Sequence, residues 1–161
     1  LGRQPDLARA FEFFAIHRLP QPRREWDFAL SRMDGAKRKQ AIVLAADRGW
    51  QDRAVYALNH GDDLRYYELR FPLARRADII RDARSAGIDP AWAYAIIRAE
   101  SAWTTDARSN ADAFGLMQLL PGTAKHLARQ LGVSFSGAAA LFDPDLNIRL
   151  GTQYLGNMAL R

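Results

Sequence analysis

The chain has 161 residues, 48% of them hydrophobic and 25% charged, an ordinary composition for a globular protein with a real core. It contains no cysteine, which excludes disulfides and thiolate metal sites. The formal net charge of +5 favours an acidic partner, such as nucleic acid, an anionic membrane or an acidic polymer, without choosing among them. No apolar run approaches the ~20 residues that span a membrane, and the first residues are not those of a signal peptide.

Four short helices are predicted in the first part of the chain, each bounded by proline, glycine or an Asp-Gly turn. The predicted helices cover residues 5–17, 22–33, 36–49 and 50–61. No strand alternation is visible, so the fold class is predicted to be all-α. Helices of this length joined by tight turns indicate stacked helical hairpins, as in a solenoid, although no strict residue repeat is present.

The basic run at residues 37–39 is interpreted as a solvated helix face in preference to a polyanion site. The aromatic residues of this region are interpreted as packing residues in preference to platforms for nucleic-acid bases. They are Trp26, Trp50, Tyr56, Tyr66 and Tyr67. The three histidines lie far apart without metal-ligand spacing, so no metal site and no cofactor is predicted.

A domain boundary is predicted where Phe71-Pro72 breaks the chain and helical spacing resumes over about residues 73–86. The first predicted domain is residues 1–72 and the second is residues 73–161. Asp89-Pro90 then predicts the start of a helix, with Asp89 as N-cap and Pro90 at the first helical position.

Glu100 lies near the end of this helix, spaced four and eight residues from Ile96 and Trp92. At 3.6 residues per turn the three share one face, which predicts that Glu100 lies on the buried stripe. None of its helical neighbours is basic, so no local ion pair is available. Burial and the helix C-terminus would both raise its pKa and favour a general acid. The structural alternative is a glutamate that pairs with an arginine from another segment.

Four motifs follow one another from Glu100 onward: "ESAW" (100–103), "DARS" (106–109), "GLMQLLPGTA" (115–124) and "LFDPDLNIRLGTQYL" (141–155). In order and spacing they resemble the catalytic domain of the soluble lytic transglycosylases, enzymes with a lysozyme-like fold that cleave bacterial peptidoglycan. The resemblance covers about residues 73–161. The N-terminal helices resemble the end of the helical superhelix that precedes this domain in the family.

The resemblance implies roles for five residues. Glu100 matches the catalytic acid and base, and Ser101 completes the Glu-Ser motif. Ser109 matches a serine that, in the family, hydrogen-bonds near the catalytic glutamate. Met117 and Gln118 belong to the Gly-Leu-Met-Gln motif that lines the cleft, and Gln118 is the expected polar contact to sugar. Ser101, Ser109, Met117 and Gln118 are thus expected to form the substrate-binding part of the site.

The implied reaction cleaves the β-1,4 bond between N-acetylmuramic acid and N-acetylglucosamine and forms a 1,6-anhydromuramoyl product, so the enzyme is a lyase. A single carboxyl group acts first as acid and then as base. An ordinary glycosidase needs two carboxylates, and the nearby Asp106 and Asp112 lie in a polar stretch that predicts a surface loop. The implied location is the periplasm. The implied partner is peptidoglycan, itself acidic, and not nucleic acid.

The sequence departs from the family pattern in two places. Leu120 stands where several relatives have methionine, a volume-conserving change. The chain also ends at Arg161, before a segment whose tyrosine helps to position the catalytic glutamate in the family. The resemblance therefore implies a truncated catalytic domain with weak or no activity of its own. A processed mature chain is the alternative to a fragment, and a non-catalytic scaffold or peptidoglycan-binding module is the alternative to an enzyme.

The last predicted helix opens at Asp143-Pro144 and carries an apolar stripe that needs a partner. The stripe consists of Ile148, Gly151, Tyr154, Leu155 and Met158. Because complete relatives continue beyond this helix, the stripe is expected to be left partly bare.

Overall fold

The computed structural model describes residues 4–16 and 21–160. All regular structure in these residues is helical and no β-strand occurs among them, so the all-α prediction is confirmed. The chain divides into two compact units, Leu1–Pro72 and Leu73–Arg161. None of the described helices is long and apolar enough to cross a membrane.

The helices of the first unit are short and follow the predicted positions. They are α1 (Pro5–Ala15), α2 (Gln21–Ser31), α3 (Gly35–Asp47), α4 (Gln51–Ala57), a 3₁₀-helix (Gly61–Arg65) and α5 (Tyr67–Arg70). The end predicted for the first helix, at His17, lies outside the described residues. The last two elements were not predicted, because segments of four or five residues are too short to show an apolar stripe.

The core of the first unit is a cluster of aromatic rings. Trp26 and Trp50 are each 2% exposed, with ring centroids 5.4 Å apart, and Phe14 stacks on Trp50 at 4.7 Å. The predicted packing role of both tryptophans is confirmed. The same prediction is wrong for Tyr56 and Tyr67, which are more than half exposed because they lie on the outward sides of short helices.

A buried ion-pair cluster accompanies these rings. Asp52, on α4, is 2% exposed and accepts hydrogen bonds from Arg23 at 3.3 Å and from Arg53 at 3.0 Å. A buried carboxylate is tolerated only when charge and hydrogen-bonding capacity are matched, as they are here. The helices pack in the pairs α1 with α2 and α3 with α4, which fits the predicted hairpins.

The second unit is built around its last helix. It contains α6 (Arg76–Ser85), α7 (Pro90–Glu100), α8 (Pro121–Leu131), a 3₁₀-helix (Ala138–Phe142) and α9 (Pro144–Ala159), and α6, α7 and α8 all pack on α9. Asp143 caps α9 by accepting hydrogen bonds from the backbone N–H groups of Asp145 and Leu146, which fits the predicted helix start. Asp89 caps α7 in the same way through Ala91.

The apolar stripe of α9 finds most of its partners within the chain. Ile148, Gly151 and Leu155 are buried, whereas Tyr154 and Met158 are 40% and 43% exposed. The expectation of a partly bare stripe therefore holds for Tyr154 and Met158, whereas the other three residues are covered within the unit, Gly151 by Met117.

Candidate active site

A cleft of about 240 Å³ opens in the second unit beside the end of α7. Helices α7 and α9 and the segment that leads into α8 supply its walls. The lining residues are Ile96, Glu100, Met117, Gln118, Leu119, Leu120, Thr123, Gly151, Tyr154 and Leu155. The cleft is therefore mainly apolar, with Glu100 as its one carboxyl group among the described residues, Gln118 as its one amide, and the hydroxyls of Thr123 and Tyr154.

Glu100 is the last residue of α7, and its side chain is exposed. The prediction that it lies on the buried stripe is wrong. The buried side of α7 is the neighbouring row, Ala93 and Ile97, both 0% exposed, because α6 and α9 cover that side. Trp92, at 39% exposure, lies on the open side. The helical spacing was predicted correctly, but the buried row lies one residue further along the sequence than predicted. The desolvation expected for Glu100 is therefore absent.

No described lysine or arginine forms an ion pair with Glu100, as expected from the lack of basic helical neighbours. The carboxyl group instead borders the apolar cleft at a helix C-terminus, where the helix dipole offers it no stabilisation. Such a group is available to a ligand because no internal cation occupies it.

The chain leaves α7 directly after Glu100 in a strained turn. Ala102 and Trp103 have φ angles of +47° and +68°, a conformation that costs non-glycine residues about 1–3 kcal/mol each. Packing holds this turn: Trp103 is buried against the ring of Tyr94, whose hydroxyl donates a hydrogen bond to the carbonyl of Ala74. This turn ends α7 directly after Glu100, so Glu100 lies at the C-terminus of the helix.

Ser101 does not face the cleft. It is 4% exposed, and its hydroxyl donates a hydrogen bond to the carbonyl of Ile97 at 3.1 Å. The prediction that Ser101 binds substrate does not fit this burial, because the hydroxyl is turned back onto its own helix. Ser101 therefore stabilises the C-terminal end of α7.

Ser109 organises the loop that follows. Its hydroxyl oxygen accepts hydrogen bonds from the backbone N–H groups of Ala111 and Ala113, and its own N–H donates to the carbonyl of Ala113. Ser109 does not line the cleft. It stabilises the loop that follows α7 and not the immediate surroundings of Glu100. In the same loop Asp112 pairs with Arg108 at 2.6 Å. Neither Asp106 nor Asp112 lines the cleft, as expected for a surface loop.

Gln118 lines the cleft, and its amide is held in one orientation. Its Nε2 group donates hydrogen bonds to the carbonyls of Gly115 at 2.8 Å and Ala107 at 3.2 Å. Two carbonyl acceptors require the nitrogen on that side, so the amide oxygen lies on the other. Among the described residues none donates to this oxygen, which leaves it able to accept from a sugar hydroxyl or amide.

Met117 also lines the cleft, although it is only 5% exposed. Its side chain packs on Gly151 of α9, where an added Cβ would collide with the sulfur atom. Its backbone N–H donates to the side-chain oxygen of Asn147 at 2.8 Å. The role of Met117 is therefore to form the joint between the motif segment and α9.

Asn147 is the residue that sequence reasoning missed. It is fully buried, and its side-chain nitrogen donates to the carbonyls of Phe114 and Leu141, each at 2.9 Å. Together with the bond from Met117, one amide ties two segments to α9, residues 114–117 and the 3₁₀-helix at Leu141. The signal was present, because Asn147 lies four residues before Gly151 on the predicted apolar stripe, and a polar residue there must find partners.

Gly115 is required by the same joint. Its φ angle is +74°, and a Cβ there would collide with the carbonyl of Leu141 and with the amide of Asn147. Glycine is thus needed both for the backbone conformation and for the close approach. The predicted tight turn at Gly115 agrees with this geometry.

A second cleft, of about 270 Å³, lies within the first unit. It contains none of the residues predicted for the site, so size alone does not select the candidate active site. No group of histidine, aspartate and glutamate residues that would hold a metal ion occurs in the described part of the chain.

These features describe a mainly helical chain in which, among the described residues, one carboxyl group borders the second-unit cleft and has no cationic partner. Comparison with known families gives two matches along the chain: the "Transglycosylase SLT domain" over residues 78–161 and the "Soluble lytic murein transglycosylase L domain" over residues 1–63. The chain belongs to the soluble lytic transglycosylase family.

Individual relatives agree with this assignment. The soluble lytic murein transglycosylases of Salmonella typhimurium and Escherichia coli are each 33% identical over 96% of this chain. Among solved structures, the 70 kDa soluble lytic transglycosylase of Escherichia coli matches 99% of the chain with a TM-score of 0.86 and 33% identity. An inactive mutant of the lytic transglycosylase Slt from Pseudomonas aeruginosa matches 99% with a TM-score of 0.80 and 37% identity.

The chain spans only part of these relatives. It covers 24% of the length of the two curated proteins and 26% of each solved chain.

Proposed function

We propose that the second-unit cleft carries out lytic transglycosylation of peptidoglycan, with Glu100 as acid and then as base. Glu100 in acid form protonates the oxygen of the β-1,4 bond between N-acetylmuramic acid and N-acetylglucosamine, and the bond from C1 to that oxygen breaks. The resulting carboxylate takes the proton from the muramoyl 6-hydroxyl as O6 bonds to C1. Glu100 ends in its starting state, and no water is consumed.

The observation that carries this proposal is that Glu100 is the one carboxyl group among the described residues of the cleft lining. Hydrolysis by the usual retaining or inverting route needs a second carboxylate at about 5–9.5 Å, for a nucleophile or for a base that activates water. A route in which the substrate's own hydroxyl attacks needs only one. The Pseudomonas relative is described as inactive with a glutamate changed to glutamine, which supports a glutamate in this role.

The exposure of Glu100 in the open cleft is compatible with its role as an acid. A bound glycan covers the cleft and removes the carboxyl group from water, and removal from water favours the protonated form. The substrate itself therefore supplies the desolvation that the helix does not provide. No ion pair has to be broken first.

Gln118 is proposed as the polar contact to the glycan, through its amide oxygen. Met117 is proposed to shape the cleft wall, while Ser101 and Ser109 support the end of α7 and the loop that follows. The periplasm is the proposed location, since the relatives are named as soluble enzymes of murein, which lies in that compartment.

The test is mass spectrometry of the products released from purified peptidoglycan by the full chain, with long incubation so that slow turnover is detected. Anhydromuropeptides are expected, each lighter by one water than the hydrolysis product. Reducing muropeptides would instead show a hydrolase. Binding to peptidoglycan without any product would identify a non-catalytic module and overturn the proposal.

A further inference from the structure

The first unit contains a cleft for which the proposed reaction has no use. This first-unit cleft, about 270 Å³ in volume, is lined by α2, the start of α3 and α4. Its apolar lining includes Trp26 and Leu30, which are buried, and Tyr56 borders it with 53% of its surface exposed. Because Trp26 and Leu30 are only 2% and 6% exposed, the open ring of Tyr56 is the surface on which the flat face of a sugar packs.

One wall of the first-unit cleft carries a fixed positive charge. Arg53 is held by Asp52 at 3.0 Å, lies 3.9 Å from Asp27, and has its guanidinium 5.7 Å from the centre of the Tyr56 ring. Its Nε group is buried and donates to no described residue. An unsatisfied buried donor is uncommon in proteins and indicates a place where polar contacts are incomplete.

The rim of the first-unit cleft has a second cation, and its environment differs from that of its neighbours. In the basic run on α3, Lys37 pairs with Asp34 at 3.3 Å and Lys39 pairs with Asp63 at 3.5 Å. Arg38, between them, lines the cleft, and its side chain makes no ion pair or hydrogen bond with any described residue.

All three residues of the run are exposed, as predicted for a solvated face, but the flanking lysines are paired and the residue at the cleft is not. The Tyr56 hydroxyl at the same cleft likewise has no hydrogen-bond partner among the described residues.

We propose that the first-unit cleft binds a carboxylate-bearing amino sugar, with the sugar ring on Tyr56 and the carboxylate on Arg38. A guanidinium binds a carboxylate through two parallel hydrogen bonds, which gives both orientation and charge selectivity. The volume suits one sugar residue better than a length of glycan strand.

The choice of sugar rests on the proposed function, because glycan strands of peptidoglycan that have lost their peptide stems alternate a sugar with a free lactyl carboxylate and a sugar without one. A second contact on the same polymer raises the local concentration of substrate even when each contact is weak. The first-unit cleft would then be a weak anchoring site on the chain that carries Glu100.

The experiment titrates isotope-labelled full chain with N-acetylmuramic acid and, separately, with N-acetylglucosamine, neither of which contains a glycosidic bond that Glu100 could cleave. Chemical shifts of the Trp26 indole report the first-unit cleft, and the backbone amides of Thr123 and Gly151 report the second-unit cleft. Shifts of Trp26 are expected with N-acetylmuramic acid at concentrations roughly tenfold lower than with N-acetylglucosamine.

Arg38→Gln is expected to abolish this preference, whereas Lys37→Gln, which removes the same charge one residue away, is expected to preserve it. Equal binding of the two sugars, no shift of Trp26, or a preference that survives Arg38→Gln would each overturn the proposal. The product analysis at Glu100 uses a different cleft and a different measurement. Failure of the anchoring site therefore leaves the proposed reaction standing, and failure of the reaction leaves the titration interpretable.

Discussion

The two units differ in the exposure and pairing of a carboxyl group. In the first unit Asp52 is 2% exposed and is bound by two arginines, Arg23 and Arg53. In the second unit Glu100 is exposed at the edge of a cleft, and none of the described cations pairs with it. The buried carboxylate is stable because it is neutralised, and the exposed one is available because it is not.

This contrast corrects a common inference about buried acids. Burial alone would have selected Asp52, or Asp82, which is 7% exposed and bound by Arg81. Both are buried and already paired with arginines. A carboxyl group that borders a cleft without a partner is the better candidate, even when water still reaches it.

The frameworks of the two units differ accordingly. Rings and ion pairs fill the interior of the first unit, as in the contacts of Trp26 with Trp50. The second unit holds its cleft with the buried amide of Asn147 and with a turn of positive φ at Ala102 and Trp103. Amide networks and strained turns position side chains more sharply than apolar contacts alone, which suits a reacting group.

The largest expected effect separates chemistry from stability at Glu100. Glu100→Gln should lower the rate of anhydromuropeptide release by about 10²–10⁴-fold, because one group supplies both proton transfers. Its free energy of unfolding should change by less than about 0.5 kcal/mol, because the side chain is exposed and unpaired. Product release and thermal melting are measured together. Glu68→Gln, an exposed change in α5, is the control and should alter neither. A folded Glu100→Gln protein with most of its activity would refute the mechanism.

The next effect concerns the amide that holds the cleft. Asn147→Leu keeps the branched side-chain shape but leaves the buried N–H of Met117 and the buried carbonyl of Leu141 without partners, at a cost of about 3 kcal/mol or more. Denaturant unfolding of the full chain measures it. Asn157→Leu removes an amide whose bonds to Gln130 and Gln153 lie nearer the surface, and should cost about 1 kcal/mol or less. Equal costs for the two changes would show that Asn147 is not the joint of this unit.

The paired carboxylate of the first unit should show a smaller loss. Asp52→Asn removes the charge that Arg23 and Arg53 share, and should cost about 2 kcal/mol, less than a fully buried pair because both arginines are partly exposed. The control is Asp27→Asn. Asp27 is 72% exposed and lies 3.9 Å from Arg53, so that change should cost less than about 1 kcal/mol. A neutral or stabilising Asp52→Asn would mean that the ion-pair cluster does not support the unit.

The smallest effect is a difference in titration between two tyrosines, with little change in stability. Hydrogen bonds from Arg65 and Lys39 lower the pKa of Tyr66, whereas burial raises the pKa of Tyr94. In an alkaline titration followed by phenolate absorbance, Tyr66→Phe should remove an early part of the rise and Tyr94→Phe a late part. The reverse order would contradict the contacts assigned to one of the two.

Much of the second unit was predictable from local patterns. Asp89-Pro90 and Asp143-Pro144 begin helices because a capping side chain followed by proline is a local signal that needs no tertiary contact. The order of the four motifs indicated the family, which the matches over residues 1–63 and 78–161 establish. The roles assigned to Glu100, Ser109, Met117 and Gln118 stay predictions until the variants are measured.

The sequence by itself determined where helices begin. It also determined that no basic residue lies three or four positions from Glu100, because both features depend on residues within one or two turns. Tertiary structure alone decided which side of α7 faces the interior. The side of α7 that contains Ala93 and the side that contains Glu100 both carry apolar residues. Helices α6 and α9 pack on the side that contains Ala93, so that side is buried. Tertiary structure also decided that Asn147 joins residues 114–117 and Leu141 to α9, and that Arg38, unlike Lys37 and Lys39, meets no partner among the described residues. Contacts between segments far apart in the chain have no local signal, since their geometry exists only once the helices have packed.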